Sequence, residues 1–146
     1  MDISEKIRLV KEVGEEIIEE KELYELFQSN DKPCAYDGFE PSGKIHLAQG
    51  ISRAINVNKL TKTGIIFKFW VADWFALMNN KMDGDLEKIQ EVGKYFIEVW
   101  KASGMNMKNV KFLWASEHMD REYWLRTLQI ARLNSVQRIT RCAQIM

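Results

Sequence analysis

The feature that most constrains this chain is residues 65–72, Ile-Ile-Phe-Lys-Phe-Trp-Val-Ala, in which Lys68 is the one charge. A run this short is too brief for an ordinary helix. Its β-branched and aromatic content suits a strand covered on both faces, as in a buried parallel sheet. Parallel strands need crossovers, and helical periodicity stands on either side. Residues 45–60 carry it and close at Thr63-Gly64. Residues 85–103 carry it again, with Gly104 as the C′ residue. Two further strands are expected at 33–37 and 110–115. The order α-β-α-β-α-β-α-α implies right-handed crossovers and an α/β, doubly wound parallel sheet.

The flanks read as helix. Apolar residues from Ile3 to Phe27 recur near helical spacing, predicting one long amphipathic helix bent near Gly14. Asp2 and Glu5 form a candidate capping box, and Asn30-Asp31-Lys32-Pro33 ends the segment. After the third strand Asp120 caps a helix from Arg121, Asn134 interrupts it, and a last helix starts near Ser135 and still runs at Met146. Three strands are few for such a sheet, so the chain reads as a piece of a larger protein. The expected division is an N-terminal helical segment (1–32), a sheet with its crossovers (33–118) and a further helical segment (119–146).

Composition excludes several classes. Hydrophobic residues make up 46% and aromatics 16 of 146, which leaves no room for disorder. No apolar run approaches the ~18 uncharged residues of a membrane span. The start, Met-Asp-Ile-Ser-Glu, has no basic region leading into an apolar stretch, so no secretory leader is expected. Cys34 and Cys142, outside any CxxC pattern, argue against a disulfide framework or zinc site and for a reduced, cytoplasmic setting. Cys34 is expected to be buried. Charge balances at 21 against 21, but unevenly. Residues 1–30 hold nine acids and four bases; residues 121–146 hold five arginines and one glutamate.

The chemistry is expected where the first strand meets its helix. Ligands of open parallel sheets sit beyond the carboxyl ends of strands. Residues 38–44 read Gly-Phe-Glu-Pro-Ser-Gly-Lys, a loop whose glycines let backbone approach a ligand. The loop delivers the chain into a helix whose free N–H groups favour an anion. His46 stands at that helix start and Gln49 shares its face three residues on. A phosphate suits this arrangement, although neither GxGxxG nor a Walker loop is present.

Residues 35–50, Ala-Tyr-Asp-Gly-Phe-Glu-Pro-Ser-Gly-Lys-Ile-His-Leu-Ala-Gln-Gly, closely resemble the first signature region of tyrosyl-tRNA synthetases of archaeal and eukaryotic type. Residues 69–80 resemble that family's second strand and following turn, and 93–117 its next helix and strand. The resemblance covers essentially the whole chain. It implies a Rossmann-like (HUP-type) nucleotide-binding fold, truncated here, with 33–118 as its catalytic half-domain and 119–146 as the start of the helical connective or dimerisation segment. The class I His-Ile-Gly-His box reads His46-Leu47-Ala48-Gln49; Ala48 places a methyl where the family's glycine lets adenine lie close.

By this resemblance, tyrosine is activated with ATP to tyrosyl-adenylate and then passed to tRNA(Tyr), with Mg2+ as the ATP counter-ion and no protein-bound metal. His46 and Gln49 would be catalytic, at the α-phosphate. Gly38, Phe39, Glu40, Gly43, His46, Gln49 and Gly50 would bind ATP; Tyr36, Asp73 and Trp74 would bind tyrosine. Tyr36 would pair the substrate phenol, so that phenylalanine leaves it unpaired, a rule for which tyrosyl synthetases are themselves the standing example. The family's lysine-rich second signature loop, and the aspartate that partners Tyr36, lie beyond this sequence. Lys81-Met82-Asp83-Gly84 is read as an ordinary turn.

The resemblance further implies a homodimer in the full-length protein, and no membrane partner. Arg132, Arg138 and Arg141 are candidates for the tRNA acceptor stem. Trp70, Trp100, Trp114 and Trp124 read as core or interface aromatics, and His118 as a surface residue. Two alternatives remain: tryptophanyl specificity, and a non-catalytic binding or dimerisation fragment.

Overall fold

Cys34–Phe39 (β1), Ile66–Val71 (β2) and Val110–Trp114 (β3) form a parallel sheet in the order β1-β2-β3 in the computed structural model, which describes residues 1–143. The crossovers run through Leu47–Lys62 (α3) and Leu86–Ala102 (α5), close to their expected bounds. Asp85 caps α5 by accepting from the Lys88 N–H at 3.1 Å, and Gly104 ends it with φ +84. A short helix, Asp73–Met78 (α4), follows β2 directly.

β2 corrects one expectation. Its residues alternate between half-buried and buried: Phe67, Phe69 and Val71 are buried, whereas Ile66, Lys68 and Trp70 are only partly covered. Two successive crossovers of one hand lay both helices on the same face; a second face is covered only where strand order reverses. The aromatic Trp70 and the aliphatic stem of Lys68 made the run look uniformly apolar.

The covered face holds the core. Phe39, Phe67, Phe69 and Val71 pack with Ala54, Val57, Phe96, Trp100 and Met105. Phe69 stacks on Trp100 at 4.8 Å and on Phe112 at 5.2 Å between centroids. Gly93 lets α5 approach the sheet: a Cβ there would lie 2.6 Å from Cη2 of Trp114. Trp100 is fully buried, Trp70 and Trp114 are half-buried, and Trp124 is exposed.

The N-terminal segment is two helices, not one. Ile3–Lys11 (α1) and Glu20–Ser29 (α2) are separated by irregular backbone. One continuous helix would stack Glu12, Glu15, Glu16, Glu19 and Glu20 at i,i+3 and i,i+4 spacing, where like charges repel. Broken, the chain lets Glu20 pair with Lys11 at 2.7 Å and Glu12 reach Lys59 on α3 at 3.1 Å. Asp2 does cap α1, accepting from the Glu5 N–H at 2.8 Å. The box is not completed, because the Glu5 carboxylate turns to Arg8. Cys34 is exposed, since it lies on the open side of β1.

Lys81–Gly84 is not an ordinary turn either. Asn80, Met82 and Asp83 adopt φ +51, +51 and +59, and Gly84 follows at +73. Three non-glycine residues thus occupy the left-handed region.

The chain divides into two compact units, Met1–Ala115 and a second beginning at Ser116. Both N-terminal helices belong to the first. In the second, Asp120 accepts from the Tyr123 N–H at 2.9 Å and starts Arg121–Arg132, which follows the single turn Ala115–His118. Asn134 donates to the Ile130 carbonyl at 2.8 Å as that helix ends, and Val136–Ala143 is the last helix among the described residues. The expectation that this helix reaches Met146 lies outside the described residues. No described helix is long and apolar enough to cross a membrane.

Candidate functional site

The site grows from the end of β1. Strand alternation sends Ala35, Asp37 and Phe39 toward the helices and Cys34, Tyr36 and Gly38 to the other face. Past Phe39 the chain turns through buried Pro41 and through Gly43, whose φ of +103 suits a residue without a Cβ. The Glu40 carboxylate accepts a 2.6 Å hydrogen bond from Nδ2 of Asn79, which anchors the loop to the end of α4.

His46 is the N-cap of α3, with extended backbone at φ −77, ψ 151. Its main-chain N–H donates to Oε1 of Gln49 at 3.3 Å. That oxygen is the engaged end of the carboxamide, so Nε2 is the end that can donate to a ligand. The first amides of α3, the His46 imidazole and the Gln49 amide thus share one helix end, where the helix dipole favours negative charge.

A cavity of about 340 Å³ opens there. Gly38, Phe39 and Glu40 line it from β1 and the loop, His46 and Gln49 from α3, with Ser42, Lys44 and Arg53 beside them. Phe96 and Trp100 of α5 form its apolar floor. Hydrogen-bond donors gathered at a helix N-terminus suit an anionic ligand.

The other expected residues lie elsewhere. Gly43 borders a neighbouring, more apolar cavity of about 440 Å³ with Lys44, Met82, Val92 and Tyr95. Gly50 is buried at a helix contact, where a Cβ would stand 3.5 Å from Val99 and 3.7 Å from Ser103. Tyr36 is 82% exposed on the open face of β1, opposite Phe39. Asp73 is fully buried; Oδ1 accepts from the Trp74 N–H at 3.0 Å and Oδ2 from Nε2 of Gln90 at 3.1 Å. Trp74 is half-buried.

Sequence reasoning missed Arg53, whose Nη2 lies 2.6 Å from Oδ2 of Asp37. The signal was available, because Arg53 follows Gln49 by four residues and so shares its helix face. No cluster of three His, Cys, Asp or Glu side chains able to hold a metal occurs among the described residues.

A family model described as tRNA synthetases class I (W and Y) matches residues 28–146. The chain is 50% identical over 148 residues to Tyrosine--tRNA ligase 1, cytoplasmic, of Arabidopsis thaliana, covering 99% of this chain and 38% of that protein. It is 40% identical over 141 residues to the Tyrosine--tRNA ligase of Picrophilus torridus, covering 96% of this chain and 42% of that protein. Among solved structures, Leishmania major tyrosyl-tRNA synthetase in complex with tyrosinol superposes with a TM-score of 0.92 at 53% identity, over 97% of this chain and 22% of that one. The Archaeoglobus fulgidus tyrosyl-tRNA synthetase complexed with L-tyrosine gives 0.82 at 36% identity, over 94% and 43%. The chain thus spans less than half the length of these relatives.

Proposed function

The chain belongs to the class I tRNA synthetases (W and Y), with their Rossmann-like sheet, and we propose that it supplies half of the amino-acid-activating site of a cytoplasmic tyrosine–tRNA ligase. The observation that carries the reading is the cavity at the start of α3, where His46 and Gln49 stand together at a helix N-terminus. Relatives named for tyrosine support that amino acid over tryptophan.

The substrates are L-tyrosine, ATP with its Mg2+ counter-ion, and tRNA(Tyr). An oxygen of the tyrosine carboxylate attacks the α-phosphorus in line. The bond from that phosphorus to the bridging oxygen breaks, and pyrophosphate leaves with the electron pair. A hydroxyl of the terminal ribose of the tRNA then attacks the tyrosyl carbonyl, the bond from that carbonyl to the phosphate oxygen breaks, and AMP leaves. No covalent nucleophile of the protein is needed, since positioning and charge stabilisation lower the barrier. His46 and Gln49 donate to the α-phosphate as its charge develops, while Gly38, Phe39, Glu40 and Gly43 shape the nucleotide wall. Gly50 acts indirectly, by letting α3 settle on α5.

Tyr36 takes the substrate phenol on the open face of the sheet, with Trp74 beside it; Asp73, fully buried, serves the pocket indirectly by accepting from the Trp74 N–H. Tyr36 and His46 lie on different sides of β1, which suits a substrate whose ring and carboxylate point opposite ways past Gly38. The chain from residue 119 onward begins the segment through which the full-length protein dimerises, and Arg132, Arg138 and Arg141 lie toward the tRNA.

In the whole ligase carrying this segment, His46→Ala lowers tyrosine-dependent ATP–pyrophosphate exchange by ~10²–10³, the usual loss for one transition-state donor, and leaves tyrosine affinity nearly unchanged. Exchange at the wild-type rate in that variant overturns the reading. Competing tyrosine against tryptophan in the same assay tests the choice of amino acid.

A further inference from the structure

Arg53 stands seven residues beyond His46 on the same face of α3 and lines the same cavity, yet its guanidinium is already engaged. Nη2 pairs with Asp37 of β1 at 2.6 Å, in a side chain only 27% exposed. The group also lies over the Trp100 ring at 5.6 Å and the Phe69 ring at 5.8 Å. Trp100 is fully buried on α5, and its Nε1–H donates to the main-chain carbonyl of Gln49 at 3.1 Å. The contacts run from Asp37 to Arg53, to Trp100 and to Gln49, joining β1, α3 and α5 beside the cavity.

We propose that Arg53 is a positioning residue for amino-acid activation: paired with Asp37 and laid over Trp100, it fixes the indole that holds the main chain of Gln49 at the nucleotide cavity. This rests on the reading of Gln49 as a phosphate donor. A guanidinium paired with a carboxylate and set 5.6 and 5.8 Å from two ring centroids is poorly placed to bind phosphate itself, and well placed to hold those rings. The first turn of α3 needs such a hold. His46, Leu47, Ala48 and Gln49 are all exposed, so few packing contacts fix where their side chains point.

The test uses tyrosine-dependent ATP–pyrophosphate exchange by the whole ligase, with Arg53→Met and Arg53→Lys made in wild-type and Gln49→Ala backgrounds. Arg53→Met lowers kcat about tenfold at unchanged KM for tyrosine, as a small displacement of a catalytic group does. Arg53→Lys, which keeps the charge and loses the plane, falls between. In the Gln49→Ala background Arg53→Met costs less than about twofold, because both changes act on one group. Trp100→Phe keeps the ring stack, removes the N–H, and reproduces the kcat loss; it decides the matter if Arg53→Met does not fold.

A normal kcat in Arg53→Met or Trp100→Phe overturns the inference. So does a rise in tyrosine KM in place of the kcat loss, or the full tenfold loss persisting in the Gln49→Ala background. If the wild-type ligase fails to exchange, or His46→Ala exchanges normally, the functional reading falls and the inference with it. An active, His46-sensitive enzyme indifferent to Arg53→Met defeats the inference alone.

Discussion

The two faces of the sheet come from alternate residues of the same strands, but they follow different rules. On one face Phe39, Phe69 and Phe112 are locked among the helix side chains, and Phe69 has no exposure at all. On the other, Tyr36 pairs in register with Lys68, and Lys68 with Lys111, so a row of polar-tipped side chains crosses the sheet. The helix-covered face is selected for fit. The open face, by the proposed function, is selected for what it presents to a substrate. A one-residue step along β1 separates the two demands, so substitutions on adjacent residues should have unrelated consequences.

Truncation on the covered face should give the largest effect. Phe69→Ala removes a ring stacked on Trp100 and Phe112 and should destabilise the fold by about 3–5 kcal/mol. Urea unfolding of the whole protein reads this as a lower midpoint; an unchanged midpoint means that the aromatic stack is not the keystone of this face. Overfilling the same face comes next. Gly93→Ala drives a methyl into Trp114 and within 3.3 Å of Pro41, costing about 1–3 kcal/mol. Because Pro41 belongs to the loop proposed to hold the nucleotide, the KM for ATP should rise in that variant as well.

Tyr36→Phe, on the open face, should shift stability by less than about 0.5 kcal/mol. The preference for tyrosine over phenylalanine in the exchange assay should nonetheless fall. Retained preference breaks the comparison, because it removes Tyr36 from substrate selection.

The smallest effect lies away from both faces, at the start of α5. The hydrogen bond from the Lys88 side chain, helped by the main-chain one, holds the Asp85 carboxyl below its ordinary range. A lowered folded-state value contributes stability above the unfolded carboxylate's pKa, and that contribution is lost as pH falls through the folded value. Amide exchange at Lys88 should therefore lose protection on acidification. Asp85→Asn, which still caps the helix, should show no such dependence.

Much of this was legible in the residues. Gly104 and Asp120 marked helix ends through caps that act within a few residues, and each does so in the structure. The strand–loop–helix junction at 34–49 was legible for the same reason. What failed depended on distant parts of the chain. The break between α1 and α2 follows from acid repulsion together with Lys59, which lies far along the sequence. The left-handed run at Asn80–Gly84 has no local sequence signature at Met82.

Sequence alone determined the order of elements, the parallel character of the sheet and the placing of His46 and Gln49 at one helix end, because periodicity and capping act over a turn or two of chain. Tertiary structure alone decided that both crossover helices share one face, that Gly50 serves packing, and that Asp37, Arg53 and Trp100 meet beneath Gln49. Those outcomes depend on handedness and close packing between segments as much as fifty-one residues apart, and neither quantity is written in any local pattern.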